Sequence, residues 1–127
     1  IVSPYRRALQ TAMPIARALG VTPLINPLIR ERAAFSCDIG SPRARLAVQW
    51  PELDFSALDE TWGGWGREAC GVLDERTAWF LDERIAGDNW QGTLVVAYWA
   101  FRLALTNTSL ENGTWMRIDP RDPKTRL

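Results

Sequence analysis

The sequence opens with the stretch Ile1-Val2-Ser3-Pro4-Tyr5-Arg6-Arg7-Ala8-Leu9-Gln10-Thr11-Ala12. This pattern predicts the end of a buried strand, a tight turn and the first turns of a helix, with Ser3 as N-cap and Pro4 at the first helical position. A helix N-terminus carries partial positive charge, yet this one receives Arg6 and Arg7. Two guanidinium groups beside unpaired helix N–H groups favour an anion such as phosphate between them. Alternatively, both side chains extend into solvent and bind nothing.

The composition is that of an ordinary single-domain soluble protein, with 127 residues, of which 46% are hydrophobic and 24% charged. The 15 basic and 15 acidic residues cancel, so there is no electrostatic basis for binding nucleic acid or an anionic membrane. The chain has no signal peptide and no apolar run of about 18 residues, and we interpret Cys37 and Cys70 as reduced thiols. These features predict a cytoplasmic protein, and none of them sets its oligomeric state.

The chain contains no histidine. This absence removes the usual general base, the usual metal ligand and any phosphohistidine chemistry within these residues. We therefore expect no bound metal and no cofactor. The chain also begins with Ile1 rather than methionine, at a residue predicted to lie inside a strand. This start indicates a fragment, or numbering from an internal point.

Helical and strand-like patterns alternate along the rest of the chain. The predicted helices are a first helix that is kinked or restarted at Pro14 and ended by Gly20, a short helix from Ser41 that ends before Pro51, and an amphipathic helix at 67–85. The predicted strands lie at 23–29, 93–98 and 114–118, and a loop is predicted at 33–40. We interpret the Asp-Glu-Arg triplets at 74–76 and 82–84 as a solvated face. Residues 52–66 form a long connection whose Trp62 and Trp65 either cap the core or cover a pocket.

Two residues beyond the opening stretch are candidate site residues. Glu31 lies between Arg30 and Arg32 and is either part of a surface ion-pair cluster, which the sequence alone favours, or a proton-donating carboxylate at the edge of a site. Tyr98 ends an apolar run that suits a central strand covered on both faces, and a helix at 99–106 follows directly. In open α/β sheets, ligands bind beyond the carboxyl ends of such strands.

Three pieces of the chain together carry a family resemblance. They are Val2-Ser3-Pro4-x-x-Arg7-Ala8-x-Gln10-Thr11-Ala12, Ile29-Arg30-Glu31 and the run from Leu94 to Phe101 with Ala104-Leu105-Thr106. In this order they resemble the histidine phosphatase superfamily, the phosphoglycerate-mutase-like proteins. The resemblance spans Val2 to Pro120. It implies an α/β domain at residues 1–120, with a mainly parallel sheet flanked by helices, a phosphate pocket at the strand ends and a polar tail at 121–127.

The resemblance also implies a reaction and roles for individual residues. In this family a histidine in an Arg-His-Gly motif on the first strand attacks a phosphoryl group, a carboxylate protonates the leaving oxygen, and water hydrolyses the phosphohistidine. Arg7 matches the pocket arginine, and Ser3 and Arg6 beside it are further candidate phosphate ligands. Glu31 matches the proton-donating acid, and Tyr98 occupies the position of a second histidine.

The departures from the family pattern decide the expected activity. The strand with Arg-His-Gly would lie upstream of Ile1, so we expect the domain to lack its first strand. Tyr98 can donate a hydrogen bond, but with a reference pKa of about 10 it supplies no positive charge at neutral pH. We therefore predict no phosphatase turnover by the chain as given, and binding of a phosphorylated small molecule or inorganic phosphate. The alternatives are a complete form that hydrolyses phosphate monoesters poorly, a non-catalytic relative that binds phosphorylated ligands or a protein partner, and a degenerate reading frame.

Overall fold

The computed structural model describes residues 1–63, 68–87 and 90–122. Within these ranges the helices are α1 (Arg6–Leu19), α2 (Arg43–Gln49), α3 (Cys70–Ala86) and α4 (Trp99–Thr106), with short 3₁₀ helices at Pro27–Ile29 and Ser36–Asp38. Extended segments of the described chain pair at single residues, since Val2 forms one parallel bridge with Ile25 and another with Val96. None of the described helices is long and apolar enough to cross a membrane.

Segment 1–3 lies between two parallel neighbours. The amide of Val2 donates to segment 24–26 and its carbonyl accepts from it, with N···O distances of 2.9 and 3.1 Å. The amide and carbonyl of Val96 bond to segment 1–3 in the same way, at 3.0 Å each. These bonds set the order 24–26, 1–3, 94–98. The mainly parallel sheet expected from the sequence is thus represented, in the described residues, by two single-residue bridges.

Side chains of the paired segments alternate between two hydrophobic clusters. Val2, Val96 and Tyr98 pack into a first cluster with residues of α1, α2 and the connection at 53–58. Val95 and Ala97 pack against a second cluster built from α3 and α4. This alternation is expected of extended backbone, in which successive side chains point to opposite faces. Helices therefore cover both faces of the paired segments, which is the layered arrangement of α/β proteins.

The predicted strand at 23–29 is wrong apart from the bridge at Ile25. Pro27–Ile29 forms a 3₁₀ helix instead, and the side chain of Asn26 caps it by accepting a hydrogen bond from the amide of Leu28 at 2.8 Å. Proline at the first position of this turn has no N–H to contribute to a ladder. The local cap therefore overrides the alternating pattern.

The predicted strands at 93–98 and 114–118 are also not formed as such. Val96 is the one residue of its run that forms a bridge among the described residues, and Leu94, at the start of the run, is 48% exposed. Trp115 is 83% exposed, and no regular structure forms at 114–118. An apolar run becomes a strand only when a neighbour bonds to its main chain.

Helix α1 begins later than predicted. Tyr5 is its N-cap and makes no side-chain cap bond, whereas Ser3 remains in the extended segment, its amide donating to the carbonyl of Val96 at 3.0 Å. Of the two outcomes expected at Pro14, a kink or a restart, the restart is wrong, since one helix runs through this residue. The donor that Pro14 lacks would serve the carbonyl of Gln10, an exposed residue open to water. Gly20 ends the helix in the left-handed conformation, with φ of 65°, as predicted.

Helix α2 and the connection that follows it agree with the sequence in outline. Helix α2 ends before Pro51, as predicted, but it begins at Arg43 with Pro42 as its N-cap, later than the predicted start at Ser41. The long connection is described through residue 63, and the predicted Trp65 lies outside the described residues. Trp62 packs its ring edge-on against Tyr5 with centroids 5.0 Å apart, so it caps the first cluster. Of the predicted tail, only residues 121 and 122 are described.

Helix α3 is formed, and its amphipathic pattern predicts Ala69, Val72, Leu73, Trp79 and Phe80 on the apolar face. Leu73 and Phe80 are buried as predicted, whereas Val72 and Trp79 are 42% and 66% exposed. The buried side chains follow helical spacing and are Leu73, Arg76, Thr77, Phe80 and Leu81. The interpretation of both Asp-Glu-Arg triplets as a solvated face is therefore wrong for Arg76, which lies within this buried stripe.

Arg76 is buried because it joins a cluster of charges that links α3 to residues 28–30. Its Nη2 and Nε lie 2.7 and 2.9 Å from the two carboxylate oxygens of Glu68. The same carboxylate accepts from Nη2 of Arg30 at 2.8 Å, while Arg76 also donates to the carbonyls of Leu28 and Arg30. Burial, and then the charge of Arg76, lower the pKa of Arg30. Charge pairing and main-chain bonds together satisfy this buried guanidinium.

We expect Arg76→Ala to lower the free energy of unfolding by about 3 kcal/mol, because it leaves Glu68 buried with one charged partner and two carbonyls without a donor. The measurement is urea unfolding followed by circular dichroism. The matched control is Arg17→Ala, which removes an ion pair to Glu52 at 3.2 Å whose arginine side chain is 70% exposed. The control should change stability by no more than about 0.5 kcal/mol. Equal effects of the two substitutions would contradict this description of the Arg76 cluster.

Candidate functional site

The candidate residues meet where segments 1–3 and 94–98 end and helices α1 and α4 begin. Arg7 is the second residue of α1, and Tyr98 is the N-cap of α4. The guanidinium carbon of Arg7 lies 4.2 Å from the ring centroid of Tyr98 and 4.7 Å from that of Tyr5. Both distances are in the range of cation–π contacts. The structure therefore brings together Arg7 and Tyr98, two of the candidate site residues, and adds Tyr5.

Asp38 completes the cluster around Arg7. Its Oδ1 lies 3.4 Å from Nη2 of Arg7, and its Oδ2 accepts from the amides of Ala34 and Phe35 at 3.2 and 3.0 Å. The hydroxyl of Tyr5 donates to the main-chain carbonyl of Asp38. The loop at 34–38 thus presents a fixed carboxylate to Arg7. The sequence analysis assigned no role to Asp38, and no local signal identifies one, because Arg7 lies 31 residues away.

Glu31 is buried and binds main-chain amides. It is 9% exposed, and its Oε1 accepts from the amide of Arg32 at 2.8 Å. Both of its oxygens lie 3.2 Å from the amide of Ala100 in the first turn of α4. A carboxylate at a helix N-terminus is favoured by the partial positive charge there. The surface ion-pair interpretation that the sequence favoured is therefore wrong, and Arg30 pairs with Glu68 instead.

Burial keeps the two phenols of the cluster protonated. It raises the pKa of Tyr5 to about 12, the charge of Asp38 adds to this rise, and the charge of Arg7 opposes it. Burial likewise raises the pKa of Tyr98, against the charge of Arg7 and a hydrogen bond with it, and the charge of Glu31 adds a smaller rise. Both tyrosines are therefore neutral at pH 7. They can stack on a cation and exchange hydrogen bonds, but they supply neither a nucleophile nor a charge.

The other two candidate phosphate ligands occupy different surroundings. Ser3 is 0% exposed, and its hydroxyl has no hydrogen-bond partner in the part of the chain that the structure describes. Arg6 is exposed on the first turn of α1, about 100° around the helix from Arg7. The cation that combines site contacts with access to solvent is Arg7, whose side chain is 35% exposed.

Across residues 1–63, 68–87 and 90–122, no group of three or more metal-ligating side chains converges.

Comparison with known proteins identifies one family. Residues 1–120 match the family model described as "Histidine phosphatase superfamily (branch 1)". No curated protein and no solved structure matches the chain. The matched range includes the opening stretch, Glu31 and Tyr98, and it confirms the resemblance drawn from the three sequence pieces.

Because the pKa of Tyr5 is raised in the folded state, the free energy of unfolding should fall as the pH rises above 10. A phenol whose pKa is higher in the folded state than the unfolded value of 10.0 stabilises the fold fully below pH 10, and this stabilisation is lost as pH rises toward about 12. The chain has two tyrosines, so Tyr98→Phe leaves Tyr5 as the single ionising phenol. We expect its absorbance titration to have a midpoint near 12 rather than near 10. A midpoint near 10 in the folded protein would show that Tyr5 is not held in the buried contacts described above.

Proposed function

The chain belongs to the histidine phosphatase superfamily, and from this membership we propose that its Arg7 cluster is a phosphate-binding site that does not turn over substrate. The family chemistry is hydrolysis of phosphate monoesters through a phosphohistidine. The ligand we propose is inorganic phosphate or a phosphorylated small molecule. The observation that supports it best is the guanidinium of Arg7, stacked between two tyrosine rings at the start of α1 and still open to solvent.

Three features of Arg7 favour an anionic ligand. Stacking between Tyr5 and Tyr98 limits the conformations of the guanidinium, so less entropy is lost when an anion binds. The first turn of α1 contains no acidic residue, so its amide dipoles add to the positive field. A planar guanidinium also matches two oxygens of a phosphate group at once.

Asp38 limits how tightly the site binds an anion. Its carboxylate faces the guanidinium of Arg7 at 3.4 Å and offsets part of its charge. An incoming phosphate must therefore compete with Asp38 or bind beside it, and binding beside it brings two negative charges together. We propose weak phosphate binding, stronger when the carboxylate of Asp38 is absent.

The absence of turnover is proposed from the chemistry of the side chains. These 127 residues contain no histidine, and a neutral Tyr98 provides one hydrogen bond where an imidazolium would provide a charge. Losing the nucleophile and a charge-stabilising group lowers the rate by several powers of ten. The role of Glu31 as proton donor remains a proposal from family resemblance. Its main-chain contacts support a second role, which is to anchor the first turn of α4.

The arrangement of the sheet and the cellular location of the protein are also proposed. Family membership supports a mainly parallel sheet, and the single-residue bridges at Val2 agree with the parallel direction. We also propose a cytoplasmic location from the reduced-thiol interpretation of the cysteines. Between the alternatives left open by the sequence, a neutral Tyr98 beside Arg7 favours a non-catalytic relative.

Arg7→Gln should weaken the binding of inorganic phosphate at least tenfold, because a charged hydrogen-bond donor contributes about 1.5–3 kcal/mol. Binding is measured from phosphate-induced shifts of backbone amides in nuclear magnetic resonance spectra. Arg6→Gln is the matched control, since it removes the same charge from the same helical turn at an exposed position. It should change the affinity by about twofold or less. Equal loss in the two variants would mean that only the general field of α1 attracts the anion.

We expect the 127-residue chain to release no p-nitrophenol from p-nitrophenyl phosphate above the rate of a buffer blank. The physical reason is that neither phenol ionises near neutral pH and no imidazole is present. The assay follows absorbance at pH 6 to 8. Turnover above the blank that Arg7→Gln abolishes would contradict the proposed lack of catalysis, and turnover that survives Arg7→Gln would indicate a contaminant.

A further inference from the structure

Arg7 and Asp38 are each held in place by groups of their own. The guanidinium of Arg7 is stacked on two tyrosine rings, with distances of 4.2 and 4.7 Å to their centroids. The carboxylate of Asp38 is anchored through Oδ2, which accepts from the amides of Ala34 and Phe35 at 3.2 and 3.0 Å. The cation and the anion are therefore positioned independently of each other, and Oδ1 is the oxygen that faces Arg7.

The direct contact between these two groups is long. Nη2 of Arg7 lies 3.4 Å from Oδ1 of Asp38, whereas charge-assisted N–H···O bonds usually measure about 2.7–2.9 Å. Glu68, by comparison, pairs with Arg76 and Arg30 at 2.7 and 2.8 Å. A ligand that inserts between Arg7 and Asp38 therefore replaces a weak contact. To satisfy both groups, it must accept a hydrogen bond from the guanidinium and donate one to the carboxylate.

The charges around Arg7 disfavour a doubly charged ligand. The other charged groups that act on the two phenols beside Arg7 are Arg30, Glu31 and Asp38. Arg30 is paired with Glu68 at 2.8 Å, so two carboxylates lie near a single site cation. Each negative charge on a ligand meets repulsion from these carboxylates. A phosphate that keeps one proton has one charge fewer and carries an O–H donor.

We propose that the Arg7 site selects phosphate by its protonation state and binds the singly charged form, whose oxygens accept from Arg7 while its O–H donates to Oδ1 of Asp38. A fully deprotonated oxyanion such as sulfate has no donor for this carboxylate and is rejected. The inference rests on the proposed phosphate binding at Arg7. It adds to that function a specificity-determining residue, Asp38, and a preferred form of the ligand.

The protein itself has few groups that titrate between pH 6 and pH 8. It contains no histidine, and burial keeps the phenols of Tyr5 and Tyr98 protonated. Burial lowers the pKa of the amine of Ile1, but this amine bonds to the carbonyl of Leu94, and its titration acts on every anion alike. Phosphate, in contrast, loses its second proton near neutral pH. A pH dependence that phosphate shows and sulfate lacks therefore originates in the ligand.

The test is to titrate the 127-residue chain with inorganic phosphate and with sulfate at pH 6 and pH 8, following the amide shifts of residues 6–8 by nuclear magnetic resonance. Phosphate affinity should fall about tenfold from pH 6 to pH 8, because the singly charged fraction falls by about that factor. Sulfate keeps the same charge throughout. Its affinity should be lower than that of phosphate at pH 6 and should change by about twofold or less between the two values of pH.

Asp38→Asn should remove the preference, because a neutral amide does not repel the doubly charged form. The affinity for phosphate at pH 8 should then rise to within about twofold of the value at pH 6. Asp54→Asn is the matched control, since Asp54 is an exposed aspartate whose Oδ1 also accepts a main-chain amide, that of Ser56 at 2.8 Å. This control should keep the tenfold difference. Circular dichroism checks that both variants are folded, and the sulfate comparison needs no variant.

Four results would overturn the inference. Phosphate binding that Arg7→Gln weakens, but that is as tight at pH 8 as at pH 6, would leave the phosphate site in place without the selection. An equal fall in sulfate affinity would show that a protein group titrates, such as the thiol of Cys37 beside Asp38 in the sequence. A tenfold difference that persists in Asp38→Asn would exclude this residue as its source. Binding of neither anion at either pH would overturn the phosphate site together with the selection.

Discussion

The rest of the fold depends on the main-chain bonding of segment 1–3. Val2 is 0% exposed and bonds to a parallel segment on each side, and these bonds hold 24–26 and 94–98 together. Because successive side chains of extended backbone point to opposite faces, this pairing separates the apolar residues into two clusters. One cluster binds α1 and α2, and the other binds α3 and α4. The helices are short, so most of their stability comes from this burial.

The same pairing creates the candidate site. Segments 1–3 and 94–98 run in the same direction, so α1 and α4 start at the same end of the fold. This places Arg7 within stacking distance of Tyr98 although 91 positions separate them in the sequence. The loop at 34–38 then supplies Asp38, which fixes the guanidinium and reduces its net charge. The result is a cation held between two neutral phenols where the paired segments end, and this is the basis for proposing binding without turnover.

The two outer paired segments, 24–26 and 94–98, have different surroundings. On the side of 24–26, a cap at Asn26 and the charge cluster of Glu68, Arg30 and Arg76 tie residues 26–30 to α3. On the far side of 94–98, the main chain of Val95 and Ala97 borders a cavity. The Arg7 cluster and the cavity thus lie at different places around the same three segments.

The sequence by itself determined those features that depend on neighbours a few residues apart. It predicted α1 and its end at Gly20, the stop of α2 before Pro51, the start of α4 after Tyr98, and the family. Helical spacing and end signals act over three or four residues and can be read locally. Tertiary structure alone decided which apolar runs pair, that Glu31 binds the amide of Ala100, and that Asp38 faces Arg7. Each of these depends on a partner at least 23 positions away, such as Val2 with Ile25, and a main-chain bond or buried charge is stable only when that partner is in place.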